Sequence, residues 1–473
     1  MASVRNLERK SPWVKIPSKC MIQRASIAFS VLSLAPSFAF QTPLAPTFGR
    51  GKLHNARYAS ASISVDDPPP TRLSPILSEI KPSKTVEVFG MVKQLESQGV
   101  SVTSLCVGEP DFDPPKPIID ATVQAATQLG MTRYTAVTGT LELRKAISFD
   151  LLRRKNTDYD PATEIVVANG AKQAVYQALL AVVGPGDEVI VPAPYWPSYP
   201  EMVRMCGATP VVVNTTIDDG YLLSPGALRD AITSSTRALL LCNPSNPTGA
   251  VYSKKALQEL AGVLDDSPDV VIVADEIYER LTYDRVEHVS FASFPGMMTR
   301  TITINGFSKS HAMTGYRLGY AACSATYARA IATLQGQITS CPSAISQHAG
   351  VAALTKVDDS TMDDIVAGMV RKRDYVLKRL GDIDGVNLGD DPEKSRPQGA
   401  FYVLPDVSAF CGMDDVRLCV ELLDEEALAL VPGDSFGAPG TVRISYATSL
   451  EELEVAMDKL QRFLEQKKME ASS

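Results

Sequence analysis

TITINGFSKSHAMTGYRLGYAAC, residues 301–323, places a short polar loop between two apolar runs. Thr301 to Asn305 alternate and carry two isoleucines, which predicts a short strand. Gly306 breaks that run, Ser308, Lys309 and Ser310 hang on the loop beyond it, and Leu318 to Ala322 resume a strand-like pattern. A lysine held between two buried strands is partly desolvated, which lowers its pKa and presents a neutral amine to a carbonyl, the requirement for a Schiff base. Taken alone, a loop lysine is more often a solvated turn residue. Its neighbours change that reading, because Ser308 and Arg317 are the donor types that clamp a phosphate monoester. A Schiff-base lysine beside a phosphate clamp points to pyridoxal phosphate.

Working outward, strands and helices alternate from Glu164 onward. Strands are expected at Ile165–Ala168, Val189–Val191, Pro210–Val213, Ala238–Cys242, Val270–Ala274 and Thr301–Asn305, with helices at Lys172–Val183, near 225–232 and at 254–265. Near-continuous apolar strands separated by helices imply an α/β fold whose mostly parallel sheet is sandwiched by helices. Ligands of such sheets collect at the carboxyl ends of the strands, which singles out Asn246, Asp275 and Lys309. Earlier helices are expected at Pro117–Leu129 and Leu141–Arg154. From about Thr361 the pattern changes to one long helix followed by short apolar segments, as in a smaller α+β domain. The expected organisation is a presequence and linker at 1–72, a segment 73–115 that joins the small domain, a large domain at 116–360 and the small domain at 361–473.

Several of these positions suit the same cofactor. Asp275, ending the strand VVIVA, could hold the proton on a pyridine nitrogen; its plainer reading is a helix N-cap. Gly170-Ala171-Lys172 opens a helix, where free amides meet phosphate, although Gly170 alone would pass for a turn glycine. Trp196 lies just beyond a strand and could stack on the ring or fill a core. Arg443 sits in a late strand, where a buried guanidinium needs a partner.

The ordered motifs GEPDFDPP (108–115), NGAKQA (169–174), NPSNPTG (243–249), DEIY (275–278), SKSHAMTGYRLGY (308–320) and VRISYA (442–447) resemble those of class I/II aminotransferases, the fold-type I pyridoxal phosphate enzymes. The likeness runs from about Leu73 to the C-terminus and is narrower toward bacterial-type aspartate aminotransferases and the related plastid aspartate/prephenate enzymes. It implies Lys309 as the cofactor-bearing base, Asp275 on the ring nitrogen, and Tyr278 and Asn246 on the ring hydroxyl. It further implies Gly170, Ala171, Lys172, Ser308 and Arg317 on the phosphate, with Tyr134 donated to the neighbouring subunit's phosphate in a homodimer with shared active sites. Arg443 would clamp the substrate α-carboxylate and the Gly108 backbone would close over it. Lys172 and Thr85 would recognise a distal carboxylate, with the plainer readings of a solvated first-turn lysine and an N-cap threonine. The implied reaction moves amino groups between aspartate or glutamate and oxo acids, and from such donors to prephenate. A neutral or aromatic aminotransferase, or a lyase of the same fold, is the alternative.

Composition agrees. The chain has 473 residues and a formal charge of −8, but residues 1–60 hold nine Lys/Arg against Glu8 alone. Removing that excess of +8 leaves about −16 on the remainder, and an acidic body without a basic block argues against nucleic acid. The eight cysteines show no CxxC or metal spacing, and the four histidines form no triad, so no metal is expected. Ile27–Phe40 is too short to span a bilayer and suits a signal-type apolar run. Ser37-Phe38-Ala39-Phe40, followed by Arg50, Lys52 and Arg57, resembles a bipartite presequence for a complex plastid; a mitochondrial presequence is the alternative. No membrane span is expected in the folded body.

Overall fold

Seven strands, buried along most of their length except for the edge strand at 209–214, organise the computed structural model, which describes residues 73–472 apart from 83 and 129. The region expected to be a presequence lies outside the described residues. The chain begins with α1 (Lys84–Ser97) and a two-residue strand β1 (Thr103–Ser104), then α2 (Lys116–Thr127) and α3 (Leu141–Lys155). Thr140 caps α3 by accepting from the Leu143 amide, Asn156 closes it in the left-handed region, and three cations fill its last turn, where the helix dipole favours them. The sheet strands and their helices follow: β2 (Ile165–Ala168), α4 (Ala171–Val182), β3 (Glu188–Ala193), α5 (Ser198–Met205), β4 (Thr209–Asn214), α6 (Pro225–Ala231), β5 (Thr236–Cys242), α7 (Lys254–Leu264), β6 (Val271–Asp275), β7 (Thr301–Gly306) and β8 (Gly319–Ala322).

The strand order is β2-β8-β7-β6-β5-β3-β4, parallel throughout except for β8, which runs antiparallel to both neighbours. Val189 and Val191 enter one core with α4 and α5, while Ile190 between them enters another with α7. This alternation puts apolar side chains on both faces of the sheet, so the strands read as continuous hydrophobic runs. Register matters most at one edge: Cys242 pairs with Asp275, and Asp275 with Ile304. The carboxyl ends of β5, β6 and β7 are therefore level, and the loops after them leave the sheet side by side.

After β8 come α8 (Ala325–Ile338), α9 (Ala344–Thr355) and α10 (Asp359–Gly381), followed by α11 (Pro392–Ser395), β9 (Tyr402–Val403), α12 (Ser408–Cys411), α13 (Asp415–Glu426), β10 (Leu428–Ala429), β11 (Val431–Pro432), β12 (Val442–Ser445) and α14 (Leu450–Ser472). Strands β11, β12 and β9 form a small antiparallel sheet in which Val431 faces Arg443 and Ser445 faces Tyr402. The early strand β1 pairs with β10, tying the segment after α1 to the C-terminal part. Met369, Val376, Leu380, Leu418, Leu453 and Leu460 gather in the core beneath that small sheet. Among the described residues no helix is long and apolar enough to cross a membrane, and no cluster of three or more His, Cys, Asp or Glu could hold a metal.

Candidate active site

The level strand ends deliver three loops to one cavity of about 330 Å³, lined by Gly108, Ala171, Lys172, Trp196, Asn246, Asp275, Tyr278, Ser308, Lys309, Arg317 and Arg443 among others. Asn246 follows β5, Asp275 ends β6, and Lys309 lies on the turn after β7. The small sheet closes the cavity from the other side, because β12 carries Arg443 and β9 carries Tyr402.

Lys309 is half-buried, and its Nζ donates to the Gly108 carbonyl. Burial lowers its pKa to about 8; Glu109 opposes that shift, while Arg443 and Arg317 add to it. Asp275 is shifted the other way. Burial pushes its carboxyl up to about 6, although Tyr199 Oη donates to Oδ2 at 2.7 Å and the Ile277 amide to Oδ1 at 3.2 Å. An amine and a carboxyl both poised near neutrality in one cavity mark a proton-handling site.

Arg443 is 2% exposed, yet no carboxylate among the described residues pairs with it directly. Its Nη1 donates to Asn246 Oδ1 at 3.1 Å and its Nη2 to the Cys106 carbonyl at 2.7 Å, while Nε has no hydrogen-bond partner among the described residues. The guanidinium lies 4.6 Å from the centroid of Tyr402 and 5.0 Å from that of Phe436. A buried cation held only by neutral groups is an anion receptor. Lys172, on the first turn of α4, has its Nζ 5.0 Å from the centroid of Trp196, and burial beside Arg317 lowers its pKa.

Gly170 precedes α4 at φ 93°, where a Cβ would come within 2.6 Å of Arg317 Nη2. The missing side chain thus lets a guanidinium stand at the helix N-terminus, beside the amides of Ala171 and Lys172 that helix geometry leaves without intrahelical acceptors. Gly319 makes a matching approach from β8, with a built Cβ only 2.4 Å from the Ala171 nitrogen. Amides, guanidinium and the Ser308 hydroxyl make a phosphate-type cradle.

One expected residue, Tyr134, is not brought into the cavity: it is 90% exposed. The side chain of Thr85, on α1, lies outside the described residues. Conversely, Tyr199, Tyr402, Cys242, Glu109 and Thr314 also line the cavity. Tyr199 sits three residues after Trp196, edge-on to it at 5.3 Å, and Tyr402 Oη lies 2.9 Å from Tyr278 Oη. Gly108 is open only because it lacks a side chain, since its Cβ would fall 2.5 Å from Tyr402 Oη.

This donor set suits a cofactor with a condensable aldehyde, a basic ring nitrogen and a phosphate. Comparison with known proteins agrees. The sequence pattern of the family described as aminotransferase class I and II matches residues 100–460. The chain is 46% identical over 405 residues to a bifunctional aspartate aminotransferase and glutamate/aspartate-prephenate aminotransferase of Petunia hybrida, covering 83% of this chain and 82% of that one. It is 41% identical over 401 residues to an aspartate/prephenate aminotransferase of Cereibacter sphaeroides, covering 83% and 98%. The structure of aspartate aminotransferase from Thermus thermophilus with maleate superposes with a TM-score of 0.78 at 40% identity, over 83% of this chain and 100% of that one. The mostly parallel sheet between helices is the fold-type I architecture of these enzymes. On this evidence of fold, cavity and sequence, the chain belongs to the pyridoxal phosphate-dependent class I and II aminotransferases.

Proposed function

We propose that this enzyme moves amino groups between aspartate or glutamate and their oxo acids, and also from these donors to prephenate. One observation carries the specificity: two partly or fully buried cations, Arg443 and Lys172, line the same cavity as Lys309. One cation suffices for the α-carboxylate of any amino acid, so a second suits a substrate with a further carboxylate. The names of the Petunia and Cereibacter relatives support the same substrates.

Pyridoxal phosphate, when bound, supplies an electron sink for the bond broken at the substrate α-carbon. Lys309, with its pKa near 8, takes the proton from that carbon and returns a proton in the opposite half-reaction. With the cofactor bound, Asp275 would hold the proton on the ring nitrogen, Tyr278 and Asn246 would serve the ring hydroxyl and Trp196 would cover the ring, while Ser308, Arg317 and the amides from Gly170 to Lys172 would hold the phosphate. Arg443 binds the α-carboxylate beneath the Gly108 backbone, while Lys172 with Thr85 binds the distal one. Since one cavity serves both substrates, the first oxo acid leaves before the second enters, a ping-pong order.

The exposed Tyr134 supports a homodimer in which each chain gives this phenol to the other's phosphate site. The small sheet β11-β12-β9, distinct from the seven-stranded one, and the β1–β10 pairing support a large domain at 116–360 and a small one at 361–473 joined by 73–115. The basic N-terminal sixty residues support plastid import. Kinetics of Lys172→Ala test the substrate assignment. KM should rise about tenfold or more for aspartate and prephenate and little for alanine; an equal rise for all three refutes it.

A further inference from the structure

Directly behind Asp275 lies a second carboxylate that the reaction does not use. Glu276 is 2% exposed and absent from the cavity lining; its amide donates to the Ile304 carbonyl at 2.9 Å, prolonging the β6–β7 ladder. Its Oε2 accepts from Lys155 Nζ at 2.6 Å, and its Oε1 accepts from Ser290 Oγ at 2.7 Å and the Phe291 amide at 3.3 Å. Lys155 is the last residue of α3, and both side chains of the pair are 2% exposed. Three donors thus hold this carboxylate, one of them a cation.

Such a pair is not explained by stability, because a buried ion pair commonly does no better than apolar residues of equal volume. Its position supplies the reason. A negative charge on the residue after Asp275 acts against ionisation of Asp275 itself. An unbalanced Glu276 would thus work against the carboxylate that faces the cavity. The surroundings provide no other direct counter-charge among the described contacts: Arg154 is engaged by Asp150 and Glu279, and Arg280 by Asp150. His288, also close, is held neutral by burial, and Tyr159 and Tyr320 are phenols. On the cavity side Asp275 meets Tyr199, Lys309 and the Cys242 thiol.

We propose that Lys155 is a positioning residue: by neutralising Glu276 it leaves Asp275 as the ionised carboxylate presented to the cofactor ring nitrogen. The proposal rests on the role given to Asp275 above. It extends the active site's electrostatics to the far end of α3, through a contact spanning 121 positions of sequence.

The test uses the full chain loaded with ring-¹⁵N pyridoxal phosphate, reading the nitrogen shift against pH and cofactor affinity, with circular dichroism as the check on folding. Lys155→Met should move the ring-nitrogen shift near pH 7 toward that of the unprotonated ring, as the proton passes to Asp275, and bind cofactor about tenfold more weakly. Glu276→Gln should move the shift toward that of the protonated ring, and the double variant Lys155→Met with Glu276→Gln should return to within about threefold of the wild-type affinity. A folded Lys155→Met with wild-type titration and affinity overturns the proposal. Should that variant fail to fold, an unshifted titration in Glu276→Gln overturns it equally. A wild-type chain that does not bind the cofactor, or binds it with an unprotonated ring nitrogen, instead overturns the role of Asp275 and this proposal with it.

Discussion

Asp275 and Lys309 are displaced from their ordinary protonation ranges in opposite directions, and each displacement has a signature in stability. The Asp275 carboxyl, raised from 3.8 to about 6 mainly by burial, binds its proton more tightly folded than unfolded. Its contribution is therefore full below about pH 4 and lost as pH rises through 6, a cost of roughly 3 kcal/mol above that. Asp275→Asn should melt higher than wild type at pH 8 in the cofactor-free protein, with the two curves meeting near pH 4; a lower melting temperature at pH 8 contradicts this. For Lys309, lowered from 10.5 to about 8 mainly by burial, the sign reverses: stability is full above 10.5 and lost as pH falls through 8. Lys309→Met should thus stabilise the cofactor-free chain at pH 7, an advantage that fades toward pH 10, while turnover drops by about 10²-fold or more. Retained turnover would remove Lys309 from the chemistry. These two residues were legible in the sequence because each sits at a strand end inside a distinctive local motif. Tyr199 and Tyr402 were not, since their hydroxyls meet Asp275 and Tyr278 only through tertiary contacts across 76 and 124 positions.

At the scale of elements, the sheet strands were the readable part. β2 and β5 to β7 fall within two residues of their expected limits because strands buried on both faces show unbroken apolar runs. The helices α5, α8 and α9 had no such signal, whereas α14 holds one in the helical spacing of Leu453, Ala456, Met457, Leu460, Phe463 and Leu464. α5 is eight residues long, and α9 is rich in small residues that give little contrast between its faces. The antiparallel sense of β8 was equally hidden, because hydrophobic runs carry no direction. What the sequence does hold, unread, is the glycine contact between β8 and α4. A methyl at Gly319 would press on the Ala171 nitrogen at 2.4 Å, and backbone cannot give way as a flexible side chain does. Gly319→Ala should therefore cost about 1–3 kcal/mol and push the α4 N-terminus out of the phosphate cradle. Thermal melting and a cofactor titration check it: wild-type affinity in a folded Gly319→Ala would separate this contact from phosphate binding.

At the scale of the whole molecule, the cavity is assembled from parts far apart in sequence. β6 and β7 supply the acid and the amine, the small sheet supplies Arg443, and the segment around Gly108 closes between them. One expected contributor, Tyr134, stands 90% exposed, an unusual state for a phenol with an assigned partner. The two-fold dimer proposed above would resolve this, since each chain would then give and receive the same group. Complementation tests it directly. Lys309→Ala lacks the amine but keeps a sound Tyr134, and Tyr134→Ala has the reverse defect. Each alone should be nearly inactive at limiting cofactor. Unfolded together and refolded, half of the dimers are mixed, and each mixed dimer holds one site with both groups intact. Activity should therefore recover to about a quarter of wild type. If both groups came from the same chain, no mixed dimer could contain an intact site and mixing would restore nothing.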